Sequence, residues 1–144
     1  MSHMPADAGL RVLVVEDDHR LRDALVEALE TDGHAVRACD DGKDALDALM
    51  GEAPPHVILL DLVMPRAAVD GFELIRRLGG YPADVRDIPL VLFSGLGSAL
   101  VEAIEPRTAA ALNIVCVLTK PLDLAELRGV TGAVGRRRAG LRAG

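Results

Sequence analysis

Carboxylates, a hydroxyl and an ammonium group stand at the ends of four apolar stretches of this sequence. Asp61 ends the run VILLD, and Glu16 and Asp17 follow LRVLVV. Ser94 ends PLVLFS, and Lys120 comes shortly after NIVCVL. An ionised carboxylate is costly to bury without partners, so several acids near one another need a cation. If the four stretches end at one edge of a fold, these side chains form a single reactive site.

The cation that suits this set is Mg²⁺, because the groups offer oxygen and neither Cys nor His stands at these ends. Asp17 and Asp61 are the expected direct ligands, Glu16 a ligand through water, and the backbone carbonyl of Val63 a further ligand. A metal, a carboxylate, a hydroxyl and an ammonium are the parts needed to transfer a phosphoryl group to an aspartate. Asp61 is therefore the candidate phosphoacceptor, with Lys120 and the metal neutralising charge.

Short apolar runs alternate with helical patterns along the chain. Strands are predicted at residues 10–15, 34–39, 56–61, 89–94 and 113–118, and helices at 19–31, 42–50, 71–79, 98–111 and 123–134. All strands but the second are continuous apolar runs, which predicts strands covered on both faces. Pro106 is expected to interrupt the fourth helix. The pattern predicts an α/β fold with a doubly wound, five-stranded parallel sheet, which binds ligands at the carboxyl ends of its strands.

Length, composition and charge favour one domain and exclude several classes of function. The chain has 144 residues, half of them apolar, and a formal net charge of −6. This charge argues against direct binding of nucleic acid, although residues 136–138 are all Arg. No apolar run reaches membrane-spanning length and no secretion signal is recognisable, so we expect a cytoplasmic protein without membrane contact.

The two ends of the chain differ from the part between them. Residues 1–9 are expected to be an expression remnant or a disordered start, residues 10–134 the domain, and residues 135–144 a flexible basic tail. Cys39 and Cys116 stand far apart, without a CxxC partner or a nearby His. They are expected to be reduced core residues rather than a disulfide.

Four motifs, VLVVEDD, VILLDLVMP, VLFSG and VLTKP, occur in an order and spacing that resemble the receiver domain of bacterial two-component response regulators. The resemblance covers about residues 10–130. It implies a flavodoxin-like fold with strand order 2-1-3-4-5, which would put Cys39 and Cys116 on opposite edge strands. It also implies a cis peptide before Pro121.

The resemblance assigns a role to each residue of the candidate site. It implies that a sensor histidine kinase or a phosphotransfer protein phosphorylates Asp61 in the presence of Mg²⁺. The other implied site residues are Glu16 and Asp17 as the acidic metal pocket, Ser94 as the switch hydroxyl and Lys120 as the contact to the phosphoryl group. The stretch from Ser94 to Leu127 more loosely resembles receivers attached to EAL-type cyclic-di-GMP phosphodiesterases.

Two features depart from the family pattern. The loop after Pro65, RAAVDG, is about two residues longer than usual and lies beside the expected site. Val117 stands three positions before Lys120, where many receivers carry an aromatic residue that changes rotamer. A phosphorylation signal is therefore predicted to pass through the backbone at 94–98 into the helix that Pro106 interrupts. The candidate partners of that face are an output domain, a partner protein or a second copy of the chain.

Other classes of protein explain the same residues less well. A haloacid-dehalogenase-type phosphatase would need a second Asp two residues after Asp61, where Val63 stands. A dinucleotide-binding domain would need a Gly-rich turn after the first strand, where EDDHR stands. The alternative that stays open is a pseudo-receiver, an interaction module that is never phosphorylated. In neither case do we expect an enzyme, beyond slow loss of a phosphoryl group from the protein itself.

Overall fold

The computed structural model describes residues 9–51 and 53–143, so the start predicted for residues 1–9 lies outside the described residues except for Gly9. The strands are β1 (Arg11–Val15), β2 (Ala35–Cys39), β3 (Val57–Asp61), β4 (Pro89–Ser94) and β5 (Asn113–Thr119). The helices are α1 (His19–Thr31), α2 (Gly42–Leu49), α3 (Gly71–Leu78), α4 (Ala83–Arg86), a 3₁₀ helix (Gly97–Ala103), α5 (Pro106–Ala111) and α6 (Leu124–Ala143).

The five strands form one parallel sheet in the order β2-β1-β3-β4-β5, which confirms the predicted fold class. In β3 every side chain is buried, and in β1 and β4 all but the first are. The prediction that β5 is covered on both faces is wrong, because β5 is an edge strand in which only Leu118 is buried. Cys39 and Cys116 lie on the two opposite edge strands and are both free, as expected.

Alternate residues of the central strands supply two separate cores, one on each face of the sheet. Leu13 and Ile58 belong to the core under α2 and α3, whereas Val14 and Leu59 belong to the core under α1 and α6. Burying a side chain of this size contributes roughly 1.5–3 kcal/mol, so the central strands are firmly held between helices. The carboxyl ends of these strands are therefore fixed points for the site.

An aspartate begins each of the three helices that follow the first three strands. Asp18 accepts a hydrogen bond from the amide of Arg20, and Asp41 accepts one from the amide of Lys43. Asp70 accepts one from the amide of Glu73 at the start of α3. Each cap satisfies a backbone donor that the first turn of a helix leaves without a partner.

The region after β4 differs from the single interrupted helix that the sequence predicts. The chain forms a 3₁₀ helix first, and α5 then begins at Pro106. Proline disfavours helical geometry in the residue before it and suits the first position of a helix. Glu105 accordingly has a non-helical ψ of 131°, and the break lies where Pro106 predicts it. α4, a single turn that follows Pro82, was not predicted.

α6 continues to Ala143, although the sequence predicts a helix ending at 134 and a flexible tail at 135–144. Arg, Ala and Leu favour helix and make up most of this stretch, which outweighs its glycines. Thr131 and Val134 are buried and fasten the middle of α6 to the fold. None of the helices that the structure describes is both long and apolar enough to cross a membrane.

The edge strand β5 contains a bulge. Leu90 of β4 pairs with Ile114, but the next residue, Val91, pairs with Cys116. Val115 is therefore an extra residue in β5, and its side chain is exposed.

Candidate functional site

The carboxyl edge of the sheet brings the predicted site residues together. Glu16 directly follows β1, Asp61 ends β3, Ser94 ends β4 and Lys120 directly follows β5. The backbone amide of Lys120 donates to the carbonyl of Ser94 at 2.9 Å, so the chain past β5 stays beside the end of β4. The peptide between Lys120 and Pro121 is cis, as the resemblance implied.

Lys120 lies between two buried carboxylates. Its Nζ donates to Asp61 Oδ2 at 2.8 Å and to Glu16 Oε1 at 2.9 Å. Both acids are almost fully buried, while the lysine side chain is 27% exposed. Nζ also lies 5.4 Å from the centre of the Phe93 ring, within range of a cation–π interaction. The lysine side chain is therefore partly exposed, whereas the two carboxylates it bonds are almost fully buried.

Three carboxylates lie close together in this site. Glu16, Asp17 and Asp61 each offer an oxygen, and these oxygens lie within 4.8 Å of one another. Burial, together with the hydrogen-bonding interaction with Asp61, raises the pKa of Glu16 to about 7, although Lys120 opposes the shift. Burial would lower the pKa of Lys120, but its bonds to Asp61 and Glu16 raise it above the ordinary value. One ammonium does not balance three acids, and this hard oxygen set fits Mg²⁺.

The backbone around Asp61 is tightly packed. Asp61 Oδ1 accepts a hydrogen bond from the amide of Val63 at 3.1 Å. A Cβ on Gly71, the first residue of α3, would lie 2.2 Å from the carbonyl oxygen of Asp61 and 2.6 Å from Cα of Leu62. Only glycine fits at that distance, so α3 begins in direct contact with the backbone of Asp61.

Ser94 and the loop after it form the other side of the site. The Ser94 hydroxyl is buried and accepts a hydrogen bond from the amide of Leu96 at 3.1 Å. Gly97 has a φ of +57°, and a Cβ there would lie 2.6 Å from Oγ1 of Thr119. The loop that contacts Ser94 is thus held close to the end of β5.

Two apolar residues whose backbone amides bond site side chains are exposed. Val63, which donates to Asp61, is 48% exposed, and Leu96, which donates to Ser94, is 69% exposed. Val117, by contrast, is half-buried and packs against the core under α2 and α3. It pairs with Leu92 of β4 in the sheet.

Sequence reasoning missed several contacts of the site. The position of the Phe93 ring beside Lys120 Nζ was not predicted. The amide of Arg66, in the long loop, donates to Asp17 Oδ2 at 3.3 Å. Asp41 binds the same loop from the start of α2. The pair Asp41-Gly42 signals a helix start, but no local pattern indicates a partner 27 residues away.

The fold and the site together define an α/β receiver domain with an acidic pocket at the carboxyl edge of its sheet. The chain belongs to the response regulator receiver domain family, whose model matches residues 12–131.

Sequence comparison relates the chain to whole response regulators. Response regulator MprA from Mycolicibacterium vanbaalenii is 34% identical over 128 residues, which cover 89% of this chain and 51% of that protein. Response regulator MprA from Mycobacterium tuberculosis is 34% identical over 129 residues, which cover 90% of this chain and 52% of that protein. The chain thus spans about half the length of the curated relatives it matches.

Solved receiver domains have the same fold. The receiver domain of the Francisella response regulator 1452 superposes with a TM-score of 0.72 at 25% identity, covering 90% of this chain and 99% of the other. The receiver domain of NtrX from Brucella abortus gives a TM-score of 0.70 at 25% identity, covering 87% and 98%. The receiver domain of a signal transduction histidine kinase from Syntrophus aciditrophicus gives 0.69 at 27% identity, covering 89% and 91%.

Proposed function

We propose that this chain accepts a phosphoryl group on Asp61 from a sensor histidine kinase or a phosphotransfer protein, and that the modification switches an output surface. The observation that carries the proposal is the position of Lys120, whose Nζ bridges the buried carboxylates of Asp61 and Glu16. A partly exposed lysine whose ammonium is bonded to the carboxylate of Asp61 suits an incoming phosphoryl group, because it can neutralise charge on the phosphoryl oxygens.

The transfer needs one nucleophile and charge neutralisation. An Asp61 carboxylate oxygen attacks phosphorus, the bond to the donor histidine nitrogen breaks, and that nitrogen leaves with the electron pair. Lys120 neutralises charge on the phosphoryl oxygens. The residues that would hold Mg²⁺ are Asp17 and Asp61 directly, Glu16 through water, and the carbonyl of Val63. The ion supplies positive charge to the phosphoryl group when bound.

The switch follows from new hydrogen bonds at the acyl phosphate. The Ser94 hydroxyl, which now accepts from the amide of Leu96, would donate to a phosphoryl oxygen. Because this bond links Ser94 to Leu96, movement of Ser94 would change the conformation of the loop at 94–98 and then of the 3₁₀ helix. Val117 is short, β-branched and packed against the core, so we do not expect its side chain to change rotamer with the signal.

We also propose that the phosphoryl group is lost slowly. Val63 and Leu96, whose amides bond Asp61 and Ser94, have exposed apolar side chains that offer no group to orient an attacking water. A polar residue at either position is expected to change the lifetime of the phosphoprotein. Equal lifetimes for Val63→Asn, Leu96→Asn and the unaltered chain would contradict this explanation.

The proposed partners are a sensor histidine kinase or phosphotransfer protein upstream and an output domain or partner protein downstream, with a homodimer as a further candidate. Binding of nucleic acid or membrane by this chain itself is not proposed. The expected setting is the cytoplasm.

Labelling with acetyl phosphate in the presence of Mg²⁺, followed by intact-mass spectrometry, tests the function. We expect one phosphoryl adduct on the unaltered chain and none on Asp61→Asn, which should fold because it removes one charge from an acidic cluster. An adduct on the Asn variant would overturn the assignment.

The alternative is a pseudo-receiver. It leaves unexplained why the acidic cluster of Glu16, Asp17 and Asp61 is complete. It predicts no adduct and no heat of binding when beryllofluoride is titrated into the chain already saturated with Mg²⁺. A saturable heat that Asp61→Asn lacks would exclude it.

A further inference from the structure

The long loop between β3 and α3 is fastened to the start of α2 by one carboxylate. Asp41 Oδ2 accepts a hydrogen bond from the amide of Ala68 at 2.6 Å, and Oδ1 accepts one from the amide of Val69 at 3.0 Å. The same Oδ1 caps α2 through the amide of Lys43 at 2.9 Å. A helix cap needs only the last of these bonds, so two of the three serve the loop.

The backbone of α2 returns a bond to the same loop. The amide of Gly42 donates to the carbonyl of Val69 at 2.8 Å, and a Cβ on Gly42 would lie only 2.7 Å from that oxygen. Burial would raise the pKa of Asp41, but its bonds from the amides of Lys43, Ala68 and Val69 lower it below the ordinary value. Asp41 is therefore ionised, and its bonds to the loop are charge-assisted.

The loop contacts the acidic pocket at its other end. The amide of Arg66 donates to Asp17 Oδ2, and the amide of Val63 donates to Asp61 Oδ1. Only one residue separates Arg66 from the segment that Asp41 holds. The position of Ala68 and Val69 therefore determines where the Arg66 amide points.

We infer that Asp41 is a positioning residue for the metal pocket, which acts through the loop and not by contact with the metal or the phosphoryl group. This inference rests on the proposed function, because it assumes that Asp17 is a ligand of Mg²⁺. Partners that orient a metal ligand typically change metal affinity by 10–100-fold when they are removed. Asp41 acts one step further away, so we expect a change of about tenfold.

Asp41→Asn should weaken the contacts to the loop and keep the helix cap. Asn caps helices about as well as Asp. Its amide group has one oxygen and one NH₂, so it cannot accept from both Ala68 and Val69 on the two sides that the carboxylate uses. Asp41→Ser is a second variant, because its hydroxyl keeps the cap but is too short to reach the loop. Asp47→Gly is the matched control, since it weakens α2 at an exposed position that does not contact the loop.

The test is the Kd for Mg²⁺ by calorimetry, at a temperature at which circular dichroism shows every variant fully folded. We expect the Kd to rise about tenfold in Asp41→Asn and Asp41→Ser and to stay within about twofold in Asp47→Gly. Hydrogen exchange at the amide of Arg66 should be faster in Asp41→Asn and unchanged in the control. A Kd within twofold of the unaltered chain in Asp41→Asn, or an equal rise in Asp47→Gly, would overturn the inference.

The labelling experiment distinguishes the two possible failures. If the unaltered chain is phosphorylated at Asp61 and Asp41→Asn binds Mg²⁺ normally, only the role of Asp41 is wrong. If the unaltered chain neither binds Mg²⁺ nor accepts a phosphoryl group, the proposed function fails and the role of Asp41 fails with it.

Discussion

Replacing Lys120 with Met should destabilise the metal-free protein in a way that depends on pH. The change removes the cation bonded to Glu16 and Asp61 and leaves both carboxylates buried. Removing one partner of a buried ion pair typically costs 3–5 kcal/mol, and because the lysine is 27% exposed we expect about 2–3 kcal/mol near pH 8. The contact with Phe93 adds a smaller loss.

The pH dependence comes from Glu16. Its pKa is raised from 4.5 to about 7 in the folded chain, so its favourable contribution is complete below pH 4.5 and is lost as the pH rises through 7. Without Lys120 the pKa of Glu16 should rise further. Between pH 8 and pH 6 the unaltered folded chain gains about 1.4 kcal/mol of stability as Glu16 binds a proton. The variant keeps this proton over more of the interval and gains up to about 2.7 kcal/mol. The destabilisation caused by Lys120→Met should therefore be smaller near pH 6, by up to about 1 kcal/mol.

Urea denaturation at both pH values, with a chelator present, measures this difference. Arg128→Met is the matched control, since Arg128 forms an exposed ion pair with Asp32 at 2.9 Å. That pair should contribute less than about 1 kcal/mol, without pH dependence over this interval. If Lys120→Met costs no more than the control, or costs the same near pH 6 and pH 8, the account of the charges in the pocket is wrong.

Gly71→Ala should lower the melting temperature sharply, because its Cβ would lie 2.2 Å from the carbonyl oxygen of Asp61; a melting temperature within a degree or two of the unaltered chain would contradict the packing argument. Millimolar Mg²⁺ should raise the melting temperature of the unaltered chain by binding the native acids, and Asp17→Asn should lose most of that rise in the same thermal scan. Hydrogen exchange with and without beryllofluoride should differ most at residues 94–111 and hardly respond to Val117→Ala, whereas changes confined to the loop at 65–71 would make that loop the output element.

The sequence predicted the central sheet because continuous apolar runs have few other stable arrangements. β4 has the predicted bounds, and β1 and β3 begin one residue later than predicted. Because parallel strands share a carboxyl edge, predicting the strands also predicted that Glu16, Asp61 and Lys120 meet there. That prediction depended on the spacing of motifs along the chain and not on any single residue.

The features that the sequence did not predict depend on contacts between distant segments, on the place of a strand in the sheet, or on the length of a helix. α4 is one turn long and shows no periodicity, and α6 passes through glycines that usually signal an end. The exposure of β5 follows from its place at the edge, which an apolar run alone does not reveal. The hydrogen bonds from the amides of Ala68 and Val69 to Asp41 join distant segments, and no local sequence pattern indicates that these segments meet.

The bulge at Val115 makes β5 a poor template for a further strand at this edge of the sheet. β5 is an apolar strand at the end of the sheet order, and such an edge is a template on which a second chain can add a strand. The extra residue shifts the register between Ile114 and Cys116, so a straight strand added outside β5 would match it on only one side of the bulge. Deleting Val115 would give β5 a regular edge, and the expected consequence is a protein that forms fibrils or amorphous aggregates at concentrations at which the unaltered chain stays in solution.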